Sequence, residues 1–160
     1  MNAKDAIKYL VVMNHDILEK FVSDFSDDDL LVRPVPGANH TAWQWGHLIT
    51  SKVGLLSKVP GAQIPTLPEG FDAQHGKETA SLDPATGFST KAEYLALSQQ
   101  MHAATLAALE GVSEEALDQP SGWDMAPTVG TVLLMIANHD MMHSGQFSVI
   151  RRKLGKPVLF

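Results

Sequence analysis

The sequence predicts an all-α fold: a four-helix bundle with an up-down-down-up course. Three observations lead there. Four segments repeat apolar residues at three- and four-residue steps. No segment sustains the two-residue alternation between hairpin turns that a sheet requires. A Pro- and Gly-rich stretch over residues 59–89 then gives a long crossover between helices two and three, enough for those two to run parallel.

The first segment, about Asn2 to Phe25, places Ile7, Leu10, Val11, Asn14, Ile17, Leu18, Phe21 and Phe25 on one stripe. Ser26 before Asp27, Asp28 and Asp29 opens a new helix that Pro34, Pro36 and Gly37 stop within two turns. The second long helix spans about Thr41 to Lys58 and ends before Pro60–Gly61. The connection that follows carries Pro60, Pro65, Pro68 and Pro84 with Gly61, Gly70, Gly76 and Gly87, and reads as a crossover, a lid or both. Thr90 and Glu93 stand at capping-box spacing and open the third helix, which runs to about Glu110 with Gly111 as its stop. Ser113–Leu117 adds a short turn. The fourth helix runs from about Thr128 to Leu154, closed by Gly155 and Pro157. Arg151, Arg152 and Lys153 suit the negative end of its dipole.

Composition narrows the function. The chain of 160 residues is one domain's worth, and 44% hydrophobic against 19% charged residues is the balance of a globular protein. Cysteine is absent, which excludes disulfides, thiolate metal sites and a cysteine nucleophile. A net charge of −6 with 12 Lys+Arg leaves no electrostatic footprint for nucleic acid or an anionic membrane. No basic, apolar leader and no membrane-length apolar run is present, so the reading is a soluble, cytoplasmic protein acting on a small molecule.

The chemistry concentrates in the histidines. The stripe of the fourth helix reads Val129, Val132, Ile136, His139, His143, Phe147, Ile150, Leu154. An i,i+4 offset turns one residue only about 40° from the other and lifts it about 6 Å, so both imidazoles can converge on one point. Two neutral imidazoles so placed suit a divalent transition metal, and a third ligand must come from another helix. His47 near the start of the second helix is the best placed, with the small residues Thr50, Ser51 and Gly54 beside it leaving room for a cavity. The competing reading makes these histidines hydrogen-bonded core residues, and pattern alone leaves both open.

Other candidates are weaker. Asp140 follows His139, giving His139-Asp140-Met141-Met142-His143, an imitation of the zincin H-E-x-x-H; its carboxylate is a candidate general base at the rim of the site. Too little chain follows His143 for a zincin's third ligand, and no Glu has a His three residues later, as a di-iron bundle needs. Gln146 is placed to hydrogen-bond a ligand or bound water, His102 to line the pocket from the third helix, and Trp43 to wall it. His15, His40 and His75 read as surface or loop residues. The seven methionines read as core filler or interface. No nucleophile elbow, Walker loop or dinucleotide fingerprint occurs.

Three motifs together resemble the DinB-like (DinB/YfiT) superfamily of metal-binding four-helix bundles. They are Trp45-Gly46-His47-Leu48, His139-Asp140-Met141-Met142-His143-Ser144-Gly145-Gln146, and the ending Arg151-Arg152-Lys153-Leu154-Gly155-Lys156-Pro157. The resemblance implies His47, His139 and His143 as ligands of one divalent metal, nickel or zinc ahead of iron or manganese. It further implies open coordination positions, a thiol-dependent S-transferase using a low-molecular-weight thiol or else a hydrolase, and a homodimer. The alternative is a non-enzymatic bundle that binds metal or a small ligand.

Overall fold

The computed structural model describes residues 1–82 and 86–160. Pro84, counted above in the irregular connection, lies outside them. Six α-helices occur among the described residues: α1 Ala3–Val22, α2 Asp27–Leu30, α3 Thr41–Leu56, α4 Phe71–Gln74, α5 Lys91–Gly111 and α6 Val129–Lys153. Two 3₁₀ turns, Lys77–Thr79 and Glu115–Asp118, complete them; among the described residues there is no strand, only an isolated bridge between Pro120 and Thr128. None of the helices is long and apolar enough to cross a membrane.

Local chemistry sets the boundaries. The side chains of Asn2, Ser26, Thr90 and Thr128 each accept a bond from a first-turn N–H of the following helix, satisfying donors that the helix itself leaves free. The Thr90–Glu93 box forms as the spacing predicts, and Ser26–Asp29 forms another. His40 caps α3, its Nδ1 accepting from the Trp43 N–H at 3.2 Å. His40 lies in the connection before α3, within its reading as a surface or loop residue, but it is fully buried and not on the surface.

The four long helices pack as a ring in which α1 touches α6 and α5, and α3 touches α6 and α5. Lys4 of α1 bonds Glu110 O at the end of α5, and Asn14 of α1 bonds Ala137 O of α6. Trp45 of α3 stacks on Tyr94 of α5. Two apolar clusters fill the interior. One gathers Ile7, Leu56, Leu109, Leu133 and Ile136; the other gathers Leu18, Trp45, Met101, Phe147 and Ile150. Arg151, read from sequence as a dipole partner, is buried instead. It forks onto the Asp24 carboxylate and also donates to Phe21 O and Pro157 O, tying the chain end to the end of α1.

Between the clusters lies a polar layer. Lys52 of α3 and Asp140 of α6 are 3% and 2% exposed and pair at 2.8 Å. His15 of α1 is buried, its Nε2 3.0 Å from the Glu19 carboxylate, and its ring stacks at 3.9 Å and 6° on His102 of α5. His15 is therefore interior, another correction. The stripe read for α1 holds at Ile7, Val11, Asn14, Leu18 and Phe25, which are buried, whereas Leu10, Ile17 and Phe21 are half-buried and the face extends instead to His15 and Val22. A wide helix face in a bundle meets two neighbours, and periodicity does not say which edge of that face lies deeper.

Candidate metal centre

His47 lies in the second turn of α3, and His139 and His143 stand one turn apart on α6. One nitrogen of each of the three rings lies within 4.8 Å of the others, and no other such group of potential ligands occurs among the described residues. The His139 and His143 Nε2 atoms are 3.2 Å apart. Tetrahedral coordination at ordinary metal–nitrogen distances of about 2.0–2.1 Å separates two nitrogens by about 3.3 Å, so the pair has the right bite.

The tautomer of His143 follows from the hydrogen bonds around it. Gln44 Nε2 donates to Asn39 O at 2.7 Å, which turns Oε1 toward His143 Nδ1, also at 2.7 Å. An amide oxygen only accepts, so Nδ1 carries the proton and the Nε2 lone pair faces the other two imidazoles. A ligand histidine wants this outer partner. Gln44 is fully buried one turn before His47, on the same side of α3. Sequence reasoning missed it, although a glutamine between Trp43 and Trp45 in a run of buried residues was the available signal.

Burial sets the charge state. It pushes the His143 pKa down to about 3, with further lowering from His139 and His47. Burial likewise lowers His47, and lowers His139 with an added contribution from His47. All three rings are neutral at pH 7, as metal ligation requires.

Packing holds the motif rigid. Trp43 stacks on His47 at 4.9 Å and 7°, and its Nε1 donates to Gly76 O and Thr79 Oγ1, so the residue-59–89 connection is fastened beside the site. Trp43 thus braces His47 from behind and is not among the residues that wall the cavity. Gly46 has a steric cause: a Cβ there would stand 2.0 Å from His75 Cδ2. His75, in the turn that ends α4, is a loop residue as read but an interior one, with Nδ1 donating to Phe71 O and Nε2 accepting from the Tyr94 hydroxyl, both at 2.7 Å.

The other sequence candidates sit elsewhere. Asp140 is turned into the bundle and paired with Lys52, away from the rim expected of a general base. An i−3 offset from His143 rotates it about 60°, which on this helix points inward to α3. Gln146 is exposed and makes no hydrogen bond to His139 or His143; Gln44 occupies the partner role considered for it. His102 stacks on His15 and does not line the cavity. Lys52 carried a signal that went unread, being a charge in the apolar run Leu48, Ile49, Val53, Leu55, Leu56.

Beside the triad opens a cavity of about 980 Å³. His47 and His139 line it together with Ser51 and Gly54 of α3 and the apolar side chains of Trp123, Met125, Met135 and Met142, of which Met125 and Met142 are largely exposed. Thr50, grouped with the small residues above, is not part of it and returns its hydroxyl to His47 O.

An all-helical fold that gathers three neutral imidazoles at the edge of a roomy cleft defines the class: a helical protein with a candidate mononuclear metal centre. The family model of the DinB superfamily matches residues 11–147, and the chain belongs to that superfamily. A conserved protein of Enterococcus faecalis, solved by crystallography, is similar in fold, with a TM-score of 0.72 at 18% identity over 98% of this chain and 99% of that one. No curated protein matches the sequence.

Proposed function

We propose that this protein is a metal-dependent enzyme acting on a small molecule, with His47, His139 and His143 holding one divalent transition metal. Nickel and zinc lead iron and manganese in this reading. The observation that carries it is the convergence of three neutral imidazoles, one with its tautomer fixed by Gln44, at the end of an open cavity. Three protein ligands are the number found in catalytic sites, which keep a position open. When bound, such a metal supplies Lewis acidity for S-transfer to or from a low-molecular-weight thiol, the leading reaction, or for hydrolysis.

The chain's own residues bind and orient. Gln44 holds the His143 ring, Trp43 braces His47, and the Lys52–Asp140 pair pins α3 to α6 beneath both. Asp140 in this reading positions the helices and takes no proton from substrate. The four long helices follow an up-down-down-up course in one domain over residues 1–160. The contacts of Lys4 with Glu110, Asn14 with Ala137, Trp45 with Tyr94 and Lys52 with Asp140 support that course.

The test is elemental analysis of tag-free protein beside His143→Ala. About one equivalent of metal in the parent, lost in the variant, supports the centre. No metal after incubation with nickel or zinc overturns it. Metal-dependent turnover of a thiol with an electrophile then separates an enzyme from a binding protein.

A further inference from the structure

The cavity beside the triad has an unusual charge pattern for this chain. The protein carries 18 Asp+Glu against 12 Lys+Arg, yet the residues around the cavity include two lysines and no acid. Lys58 is half-buried, just past the end of α3. Its Nζ lies 5.9 Å from the centre of the Trp123 ring, and among the described residues no carboxylate stands within 4.0 Å of it. A half-buried ammonium with an aromatic face beside it and no counter-charge is open to pairing with an anion. Between it and His47 the α3 surface carries Ser51, Gly54 and Leu55 at steps of four, three and one, all on one side of the helix and all lining the cavity. The opposing wall supplies Met135 and Met142, flexible and polarizable surfaces that adapt to a chain of variable shape. Lys58 stands eleven positions after His47, about 16 Å along the direction of α3.

We infer that the substrate of this site is an elongated apolar anion, its reacting end at His47 and His139, its apolar body on the methionine wall, and its acidic group on Lys58 beside Trp123. This rests on the triad being the metal centre, and it adds the substrate class. Lys77 also lines the cavity, but it is exposed and follows Gly76, which is fastened to Trp43 at the His47 end. It therefore lies away from the acidic group.

The test uses octylsulfonate, whose sulfonate is a poor metal ligand, against octanol, with binding followed by calorimetry on metal-stripped protein. Octylsulfonate should bind about tenfold or more tighter than octanol, the range of a charge-assisted hydrogen bond, and Lys58→Met should abolish that preference while leaving octanol binding unchanged. ω-Mercapto-octylsulfonate should bind tighter still to metal-loaded protein, and only that increment should vanish in His143→Ala. Equal affinity for octylsulfonate and octanol overturns the inference, as does a preference that survives Lys58→Met or is lost only in Lys77→Met. A preference that depends on Lys58 without any metal-linked increment leaves the anion site standing and overturns its link to the metal centre. Thermal melting of each variant separates lost binding from lost folding.

Discussion

The pairing of Lys52 with Asp140 makes a quantitative prediction. Both side chains are almost wholly buried and meet at 2.8 Å between α3 and α6. Asp140→Ala leaves the Lys52 ammonium in the interior without its counter-charge, and breaking a buried pair from one side costs about 3–5 kcal/mol. For 160 residues the unfolding entropy is about 0.34 kcal/mol per degree, so Tm should fall by about 9–15 °C. Replacing both partners by apolar residues of similar size, as in Lys52→Met with Asp140→Leu, removes both desolvation costs together. That double variant should lie within about 1 kcal/mol of the parent or above it. Urea denaturation of parent, both single variants and the double variant measures the coupling. A cost under about 1 kcal/mol for Asp140→Ala, or a double variant that loses the sum of the singles, would refute a structural ion pair. The double variant should also retain whatever metal the parent binds, because neither residue belongs to the histidine triad.

Three further outcomes are expected. Gly46→Ala sets a Cβ 2.0 Å from a His75 ring that two 2.7 Å hydrogen bonds hold in place, so it should cost about 3 kcal/mol in a thermal melt, the upper end of overpacking. Gln44→Leu removes the acceptor from His143 Nδ1 and should weaken metal affinity about 10–100-fold by chelator competition, with Gln44→Glu recovering much of the loss. His15 and His40 are buried neutral, with pKa pushed down chiefly by burial to about 3 and about 4. Below pH 6.5 the unfolded chain takes up protons that the folded chain refuses, so stability falls as pH drops from about 6.5 toward those values. Each histidine contributes about 1.4 kcal/mol per pH unit in that window. Urea denaturation at pH 7 and pH 5 should show His15→Gln to be the less pH-sensitive protein, by up to about 2 kcal/mol; parallel profiles would exclude His15 as the cause.

The helices and their ends were legible because they are local: caps, prolines and three- to four-residue periodicity act within a few residues of themselves. The pairing of His139 with His143 was legible for the same reason, since an i,i+4 offset fixes their common face. His47 as the third ligand was suggested by the small residues around it and implied by the family resemblance; spacing alone could not bring α3 to α6. What depended on contacts between distant segments was not legible. Gln44 reaches a histidine 99 positions away, Lys52 an aspartate 88 away, and Arg151 an aspartate 127 away. Asp140 shows the limit most plainly. Its place on α6 was readable, but whether that face met the cleft or the interior depended on how the helix was rotated between α1 and α3. The same holds for His15, His40 and His75, polar residues that tertiary packing buried by giving each an interior partner or neighbour. The sequence by itself determined the four long helices and which side chains can bind a metal; the short α4 and the 3₁₀ turn Lys77–Thr79 formed in a stretch that reads as irregular. Only the tertiary structure decided which of them face one another, because that choice is made by packing between segments that sequence spacing does not connect.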